Sequence, residues 1–339
     1  MRLGPPAQLP FVTVALAMAA MASLVHAQPS PPATGAPADG VVDAHLSPVE
    51  TLPVGNKPLA TGLPRRFEGK PLVWDPKFDR MDAPEMVVTG ASIAVALAAA
   101  IAHPLTSVWK GVPSFDSGAR NALRLSSYQA RLDARDASDV GLALLTTFPI
   151  VVDSMMVAYW YRGSTDVALQ MGLIDAETMA VSAALQGAAT FLSGRERPYG
   201  QDCGTQLQSQ SIDCTTPSRY RSFFSGHSTL AFTSAALICA HHEALDLFDT
   251  SADPITCATA FVAAAAIGTL RIVGDMHYLS DVLTGAVVGT AVGLGIPLLH
   301  HYKKGVVFLG QGPKPEPASA SFQVKLVPAP NGMQIVGIF

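Results

Sequence analysis

The sequence predicts an all-α protein: a helical bundle of about six helices, followed by a short C-terminal β-hairpin. Apolar, alanine-rich segments long enough for helices dominate the middle of the chain, and none of them alternates as a strand does. An Asn-Gly pair between two apolar runs near the end of the chain signals a hairpin turn. Of 339 residues, 49% are hydrophobic and 14% are charged, against about 25% in soluble domains. The composition therefore favours a membrane protein.

The N-terminal part of the chain has the features of an export signal followed by a linker. Residues 1–27 combine a basic start, the apolar stretch Phe11–Val25 and the small-residue cleavage site Val25-His26-Ala27, which predicts a secretory signal peptide. An uncleaved anchor helix is the alternative. Residues 28–62 are rich in Pro, Ala and Gly and lack the apolar residues needed for a core, which predicts a disordered linker.

A helical domain is expected over residues 63–311. Its six candidate helices are Glu85–His103, Ser138–Tyr161, Ala176–Ser193, Ser228–His242, Thr256–Val273 and Ser280–His301. Met86–Ala102 and Val282–Leu299 are long and apolar enough to cross a membrane, whereas polar residues interrupt the others. Residues 312–339 form a Pro-rich tether and the predicted hairpin, with its turn at Asn331-Gly332.

The four cysteines fall into two candidate disulfide pairs. Cys203 and Cys214 lie in one polar loop, and Cys239 and Cys257 flank a short connection between two apolar segments. An exported protein meets an oxidising compartment, where such pairs form disulfides. Free thiols are the alternative, because spacing alone does not fix the connectivity.

Charge patterns limit the possible partners. The net charge of −4 and the absence of a basic stripe argue against a nucleic-acid partner, and no protein partner can be identified. The basic stretch Lys110–Arg135 would normally be cytoplasmic. A cleaved signal places Gln28 in the periplasm, whereas six membrane spans with a periplasmic active site after the third require the first span to begin in the cytoplasm. No metal site is expected at His241-His242 or His300-His301, because adjacent residues point in different directions on a helix.

Three short stretches carry residues suited to phosphoryl chemistry, each at the same predicted end of its helix. They are Gly194–Pro198, Phe223–Ser228 and Arg271–Asp281.

The first group of these residues is suited to binding an anion. Arg197 and Arg271 offer forked donors for phosphoryl oxygens. Ser225 and Gly226 precede a helix, whose N-terminal N–H groups favour a negative charge.

The second group is suited to acid–base and nucleophilic work. His227 and His277 allow one ring to attack phosphorus and the other to protonate the leaving oxygen. His277 and Asp281 share a helix face at i,i+4 spacing, so the carboxylate can hold one ring nitrogen and leave the other free.

In this order, the three stretches resemble the signature of the type 2 phosphatidic acid phosphatase superfamily, which includes bacterial acid phosphatases and vanadium haloperoxidases. That signature reads Lys, six residues, Arg-Pro; then Pro-Ser-Gly-His; then Ser-Arg, five residues, His, three residues, Asp. The similarity runs from about Thr190 to Asp281 and is specific for the family, though not for the substrate.

The resemblance implies a role for each matched residue. His277 would be the nucleophile that becomes phosphorylated, Asp281 would orient it, and His227 would be the general acid. Water would then release phosphate, with no metal or other cofactor. The phosphoryl group would be bound by the remaining matched residues, Arg197, Arg271, Ser225 and Gly226.

The sequence departs from the signature at three positions. Thr190 stands where the family has its phosphate-binding lysine, and the lost charge predicts slower catalysis. Arg195 is a candidate phosphate-binding residue that would compensate if the helix ended before it. Phe224 and Leu270 replace a proline and a serine, which are milder changes.

Together these features predict a phosphatase that acts on a phosphate monoester or diphosphate, preferably a lipid phosphate. The expected location is the bacterial cell envelope, with the active site facing the periplasm and with embedding in the inner membrane favoured over a soluble periplasmic bundle. One alternative is a vanadium-dependent haloperoxidase, which would hold vanadate as its cofactor. Another is a catalytically weakened phosphate-binding envelope protein, which Thr190 would explain.

Overall fold

The described part of the computed structural model comprises residues 69–106, 108–205, 212–248 and 251–303, together with the backbone of 323–329 and 332–338. Residues 69–303 are helical and contain no strand where they are described, so the predicted all-α class is confirmed for this region. The expected signal peptide, linker and Pro-rich tether lie outside the described residues.

Within the described residues, seven helices form the bundle. They are α1 (Ala83–Ile101), α2 (Ser114–Leu123), α3 (Tyr128–Phe148), α4 (Thr165–Ser193), α5 (Gly226–Leu245), α6 (Ala252–Val273) and α7 (Leu279–Leu294). Helices α3 and α7 continue as π-helical segments, Pro149–Tyr161 and Gly295–His301. Pro149 and Pro297 lie in these segments, and a proline lacks the N–H that a regular α-helix needs.

The six long helices alternate in direction, so all three motif stretches meet at one end of the bundle. This motif end is formed by the C-terminal ends of α1, α4 and α6 and the N-terminal ends of α3, α5 and α7. Hydrogen bonds between these ends include Leu105 N to Phe191 O (3.0 Å), Arg135 Nε to Gly274 O (2.9 Å) and Ser225 N to Asp281 O (3.0 Å).

Helix α5 is the centre of the bundle and is almost wholly buried. Helix α7 packs against it through Gly285, Gly289 and Gly293, which recur every fourth residue and so share one face. A Cβ at Gly285 would lie 2.7 Å from Ser225 O, and one at Gly293 would lie 2.6 Å from the Ala236 side chain. The glycines therefore allow a close approach that positions the first turn of α7 beside the first turn of α5.

The outer surface of the bundle is apolar. Four helical stretches are long and apolar enough to cross a membrane: Ala83–Ile101, Tyr128–Tyr161, Ala252–Val273 and Leu279–His301. Helix α1 is the most exposed of them, with Met86, Val87 and Ile101 at least 60% accessible. Large apolar faces of this kind mark contact with a membrane or a partner.

Some helical structure was not predicted. The longest segments outside the predicted helices are α2, the first ten residues of α3 and the first residues of α4. Helix α2 is polar and has no apolar run, yet Asp116 and Arg120 are buried in it. Arg120 Nε lies 2.7 Å from the Asp275 carboxylate, so an ion pair rather than an apolar face anchors this helix.

Both predicted cysteine pairs form disulfides. Cys203 and Cys214 are joined in the loop at the motif end, with 5.7 Å between their Cα atoms. Cys239 and Cys257 join α5 to α6, with 4.6 Å between their Cα atoms. The two bonds therefore fix the motif-end loop and the α5–α6 pair separately.

The chain beyond Lys304 is a second compact unit, Gly305–Phe339, so the division falls before the boundary expected after residue 311. Its backbone has two antiparallel strands, β1 (Gln323–Ala329) and β2 (Gly332–Ile338). They match the expected hairpin in position. Only the backbone of these strands is described, so the hairpin remains a prediction.

Candidate active site

His277 lies in the short loop between α6 and α7, and its ring has a defined tautomer. Its Nδ1 is 2.8 Å from the carbonyl oxygen of Ser222. A carbonyl only accepts, so Nδ1 carries the proton and Nε2 keeps its lone pair. Nε2 makes no hydrogen bond with the described residues. Burial, reinforced by the charges of Arg197 and Arg271, holds the pKa of His277 well below its usual value. The ring is therefore neutral and its Nε2 is free.

Asp281 supports His277 indirectly. Its Oδ2 is 3.7 Å from Nδ1 of His277, which is too long for a hydrogen bond. The same oxygen accepts from Ser222 Oγ at 2.6 Å and from Tyr278 N at 2.9 Å. The direct contact expected from the i,i+4 spacing is thus replaced by a contact through Ser222, a residue that the sequence did not single out.

Arg197 and Arg271 lie beside His277 and are incompletely neutralised. Arg197 donates to the Arg221 carbonyl at 3.3 Å and contacts Met276 Sδ at 3.6 Å, and no described carboxylate pairs with it. Burial lowers the pKa of Arg197. Arg271 donates through Nη1, while its buried Nε has no hydrogen-bond partner among the described residues. Two desolvated cations with donors to spare favour an anion between them.

Asp139 of α3 joins the site, although it belongs to none of the three motif stretches. Its Oδ1 lies 2.5 Å from Nε2 of His227 and 3.0 Å from Nη1 of Arg271. Burial and the Arg271 charge lower the pKa of His227 to about 3, and Asp139 opposes this shift. The Asp139 carboxylate thus contacts both His227, the expected general acid to the leaving group, and Arg271, an expected phosphate-binding residue.

Ser225 and Gly226 begin α5, as expected, but only part of their donor capacity is available. Ser225 caps the helix, because its Oγ accepts from Ser228 N at 3.3 Å. The backbone N–H of Ser225 donates to Asp281 O, so it is not available to an anion. The N–H of Gly226 donates to no described residue, which leaves this group and the Ser225 hydroxyl for a ligand.

Arg195 differs from the expectation that it binds phosphate. Its Nη2 lies 2.6 Å from Asp116 Oδ2, and its Nη1 forms an ion pair with Asp281. Its guanidinium also lies over the rings of Trp109 and Tyr278, at 4.7 and 4.4 Å from their centroids. The two terminal nitrogens of Arg195 therefore hold α2 and α7 together, while its Nε has no partner among the described residues.

Thr190 supplies no charge where the family has lysine. Its Oγ1 donates to Gln186 O at 2.9 Å and accepts from Gln186 Nε2 at 2.7 Å. Arg135 of α3 is a further cation near the candidate site, and its charge adds to the effect of burial in lowering the pKa of Arg197. Arg135 donates to Asp213 at 2.8 Å, so part of its charge is already balanced. The sequence did not predict this third arginine, because only the fold brings α3 to the motifs.

Comparison with known proteins agrees with the motif region. The PAP2 superfamily model matches residues 172–304, which include all three stretches. The lipid A 1-phosphatase of Porphyromonas gingivalis is 28% identical over 145 residues, which are 43% of this chain and 27% of that relative. The chain thus aligns with about a quarter of the length of this curated relative. No solved structure gives a significant match. The family resemblance predicted from the motifs is confirmed: residues 172–304 of this chain match the model of the PAP2 superfamily.

Proposed function

We propose that this protein is a phosphatase that hydrolyses a lipid phosphate, as a monoester or diphosphate, through a phosphohistidine intermediate. One observation carries the proposal: a neutral His277 with a free Nε2 lies beside the buried guanidinium group of Arg271 and the partly buried one of Arg197, neither of which has a full set of partners. The similarity to a lipid A 1-phosphatase and the apolar outer helices support a lipid substrate.

The proposed reaction has two steps, and neither requires a metal ion or other cofactor at the phosphate. Arg197 and Arg271 hold the phosphoryl oxygens while Nε2 of His277 attacks phosphorus. The P–N bond forms as the bond to the leaving oxygen breaks, and His227 gives that oxygen its proton. A water molecule then attacks the phosphohistidine and gives a proton to His227, which frees phosphate and restores the neutral His277.

The charge of the substrate prepares His227 for its role. In the empty site its pKa is about 3, so the ring is neutral. A bound phosphate dianion offsets the Arg271 charge and raises the pKa of His227, as a nearby opposite charge does. Asp139 holds the same ring at 2.5 Å and keeps it oriented until the ester arrives.

We further propose that the motif end faces the periplasm and that the bundle lies in the inner membrane. The Cys203–Cys214 disulfide at the motif end fits an oxidising compartment. Part of the positive charge of the basic stretch Lys110–Arg135 is offset, because Arg120 and Arg124 are paired with Asp275. Fractionation should recover activity only after detergent extraction of membranes. Activity released without detergent would instead favour a soluble periplasmic bundle.

The central test compares the wild type with His277→Ala on an aryl phosphate and on phosphatidic acid. Loss of a nucleophile should lower kcat by at least about 10⁴-fold. His300→Ala, an exposed histidine at the other end of the bundle, is the matched control and should retain full activity. Acid-labile labelling by ³²P-substrate should appear in the wild type and vanish in His277→Ala. Equal hydrolysis rates in the two proteins would refute the proposal.

The second candidate is a phosphate-binding protein with little turnover, which the uncharged Thr190 favours. Thr190→Lys separates the two. A lysine that reaches the anion should raise kcat about tenfold or more, since a donor aimed at developing charge is worth about 10²–10³-fold. Thr190→Met has similar length without charge and is the control. A Thr190→Lys protein that binds phosphate but shows no hydrolysis would support the binding protein.

A further inference from the structure

A second cluster of ionisable side chains lies at the end of the bundle opposite the motif end. Glu85 is in the first turn of α1, and His300 and His301 end the π-helical extension of α7. One ligand atom from each of the three residues lies within 4.8 Å of the other two. Twenty residues separate His301 from Asp281 along α7 and its extension, or roughly 30 Å of helix, so the cluster is remote from the phosphate site.

His301 is the most deeply buried member of the cluster, and its tautomer leaves one nitrogen free. The ring is fully buried, and its Nε2 lies 2.8 Å from the Glu177 carboxylate. A carboxylate accepts, so Nε2 carries the proton and Nδ1 keeps its lone pair. Nδ1 has no hydrogen-bond partner among the described residues. A carboxylate behind a histidine whose other nitrogen is free is the arrangement that supports metal-binding histidines.

The other two members are already in contact. His300 Nδ1 lies 2.9 Å from Glu85 Oε1, and the second oxygen of Glu85 accepts from Asp82 N at 2.7 Å. The second contact fixes the carboxylate as part of the α1 capping box. The Glu85 side chain is therefore held in place before any ligand binds.

Adjacent histidines were not expected to share a ligand, because they diverge on an α-helix. Here the segment that ends at His301 is π-helical, and the centroids of the two rings are 5.2 Å apart. Helix α1 supplies the third group from outside this segment. The convergence thus depends on the end of α7 meeting the start of α1.

We propose that Glu85, His300 and His301 form a binding site for a divalent transition metal, with Zn²⁺ the best match. Two imidazoles and one carboxylate are common zinc ligands, with bonds of about 2.0–2.2 Å. The ion takes the place of the proton between His300 and Glu85 and gives His301 Nδ1 its missing partner. Zinc here joins the first and last helices of the bundle, and three protein ligands leave its fourth position to water.

The test uses full-length protein in detergent, stripped of metal by a chelator. Co²⁺ is titrated as the probe and followed by its visible absorption, and Zn²⁺ is then added as a competitor. We expect one Co²⁺ site per chain, displaced by Zn²⁺. His300→Ala removes an exposed ligand and should weaken binding at least about 100-fold. Mutating a residue that only hydrogen-bonds to a metal ligand already weakens metal binding by about 10–100-fold. Glu177→Gln should weaken binding by about 10–100-fold.

His103→Ala, which removes another exposed histidine, is the matched control and should bind Co²⁺ like the wild type. Circular dichroism of the stripped proteins checks that each variant is folded. Phosphatase activity should be the same with and without metal, because the site is remote from the motif end. Stripped wild type that binds no more Co²⁺ than His300→Ala would overturn the proposal and leave a plain ion pair between His300 and Glu85.

Discussion

The two ends of the bundle hold histidines in opposite electrostatic surroundings. At the motif end, His227 and His277 are buried beside arginines, and their pKa values are lowered. At the opposite end, carboxylates hold the ring nitrogens: Asp175 lies 2.8 Å from Nε2 of His241, and Glu177 lies 2.8 Å from Nε2 of His301. Buried histidines thus lie beside arginines at one end of the bundle and are hydrogen-bonded to carboxylates of the helical core at the other.

This difference teaches that the charged neighbours, more than the histidines themselves, decide what each end can do. Changes at the motif end should cost activity and leave the fold intact, whereas changes at the opposite end should cost stability and leave activity intact. Four measurements test this division.

The largest expected effect comes from Arg197→Gln. Removing one of two cations that face the transferring phosphoryl group should lower kcat/KM about 10²–10³-fold. The thermal unfolding midpoint should hardly change, because Arg197 has no ion pair with a described carboxylate to lose. Arg80→Gln, an exposed arginine paired with Asp166, is the control and should keep its activity. An Arg197→Gln protein that lost stability but kept its activity would contradict this division between the two ends of the bundle.

A smaller effect is expected for Asp139→Asn. The carboxylate raises the pKa of His227 against the effect of burial, so without it a smaller fraction of the ring carries the proton that it must donate. We expect kcat to fall about 10- to 100-fold, within the usual contribution of a general acid. Asp136→Asn, an exposed neighbour on the same helix, is the matched control. Unchanged kcat together with tighter product inhibition would mean that Asp139 only competes with phosphate.

At the opposite end, Asp175→Asn should act on stability alone. It weakens a fully buried hydrogen bond to His241, so the free energy of unfolding should fall by about 1–3 kcal/mol. Denaturation in detergent measures this loss, and kcat on an aryl phosphate should stay at the wild-type value. A large fall in kcat at unchanged stability would show that the two ends are coupled.

The smallest effect is a pH dependence of stability. His227 and His277 have lowered pKa values in the folded protein, so the unfolded chain takes up protons first as the pH falls below about 6.5. Their contribution is present above that pH, and each histidine should cost about 1.4 kcal/mol per pH unit of acidification. His227→Gln should remove about half of this slope. Equal slopes in both proteins would contradict the cationic surroundings inferred for the ring.

The motif residues were predictable because their order and spacing place them at the same helix ends. Their partners were not. Asp139 and Arg135 lie in α3, more than 50 residues before the first motif, and nothing in their local pattern links them to it. Ser222 contributes through a main-chain carbonyl, which any residue type has. Periodicity indicates apolar faces, whereas a buried ion pair such as Arg120 with Asp275 exists only once distant segments have met.

The main-chain origin of the contact to His277 has an evolutionary consequence. A point mutation at Ser222 removes the hydroxyl that Asp281 uses but cannot remove the carbonyl that fixes the imidazole. The loop is itself anchored by Ser222 N, which donates to Arg195 O at 3.0 Å. Small replacements at position 222 should therefore keep the contact to the imidazole, while insertions or deletions between residues 195 and 222 that shift this anchor should be purged.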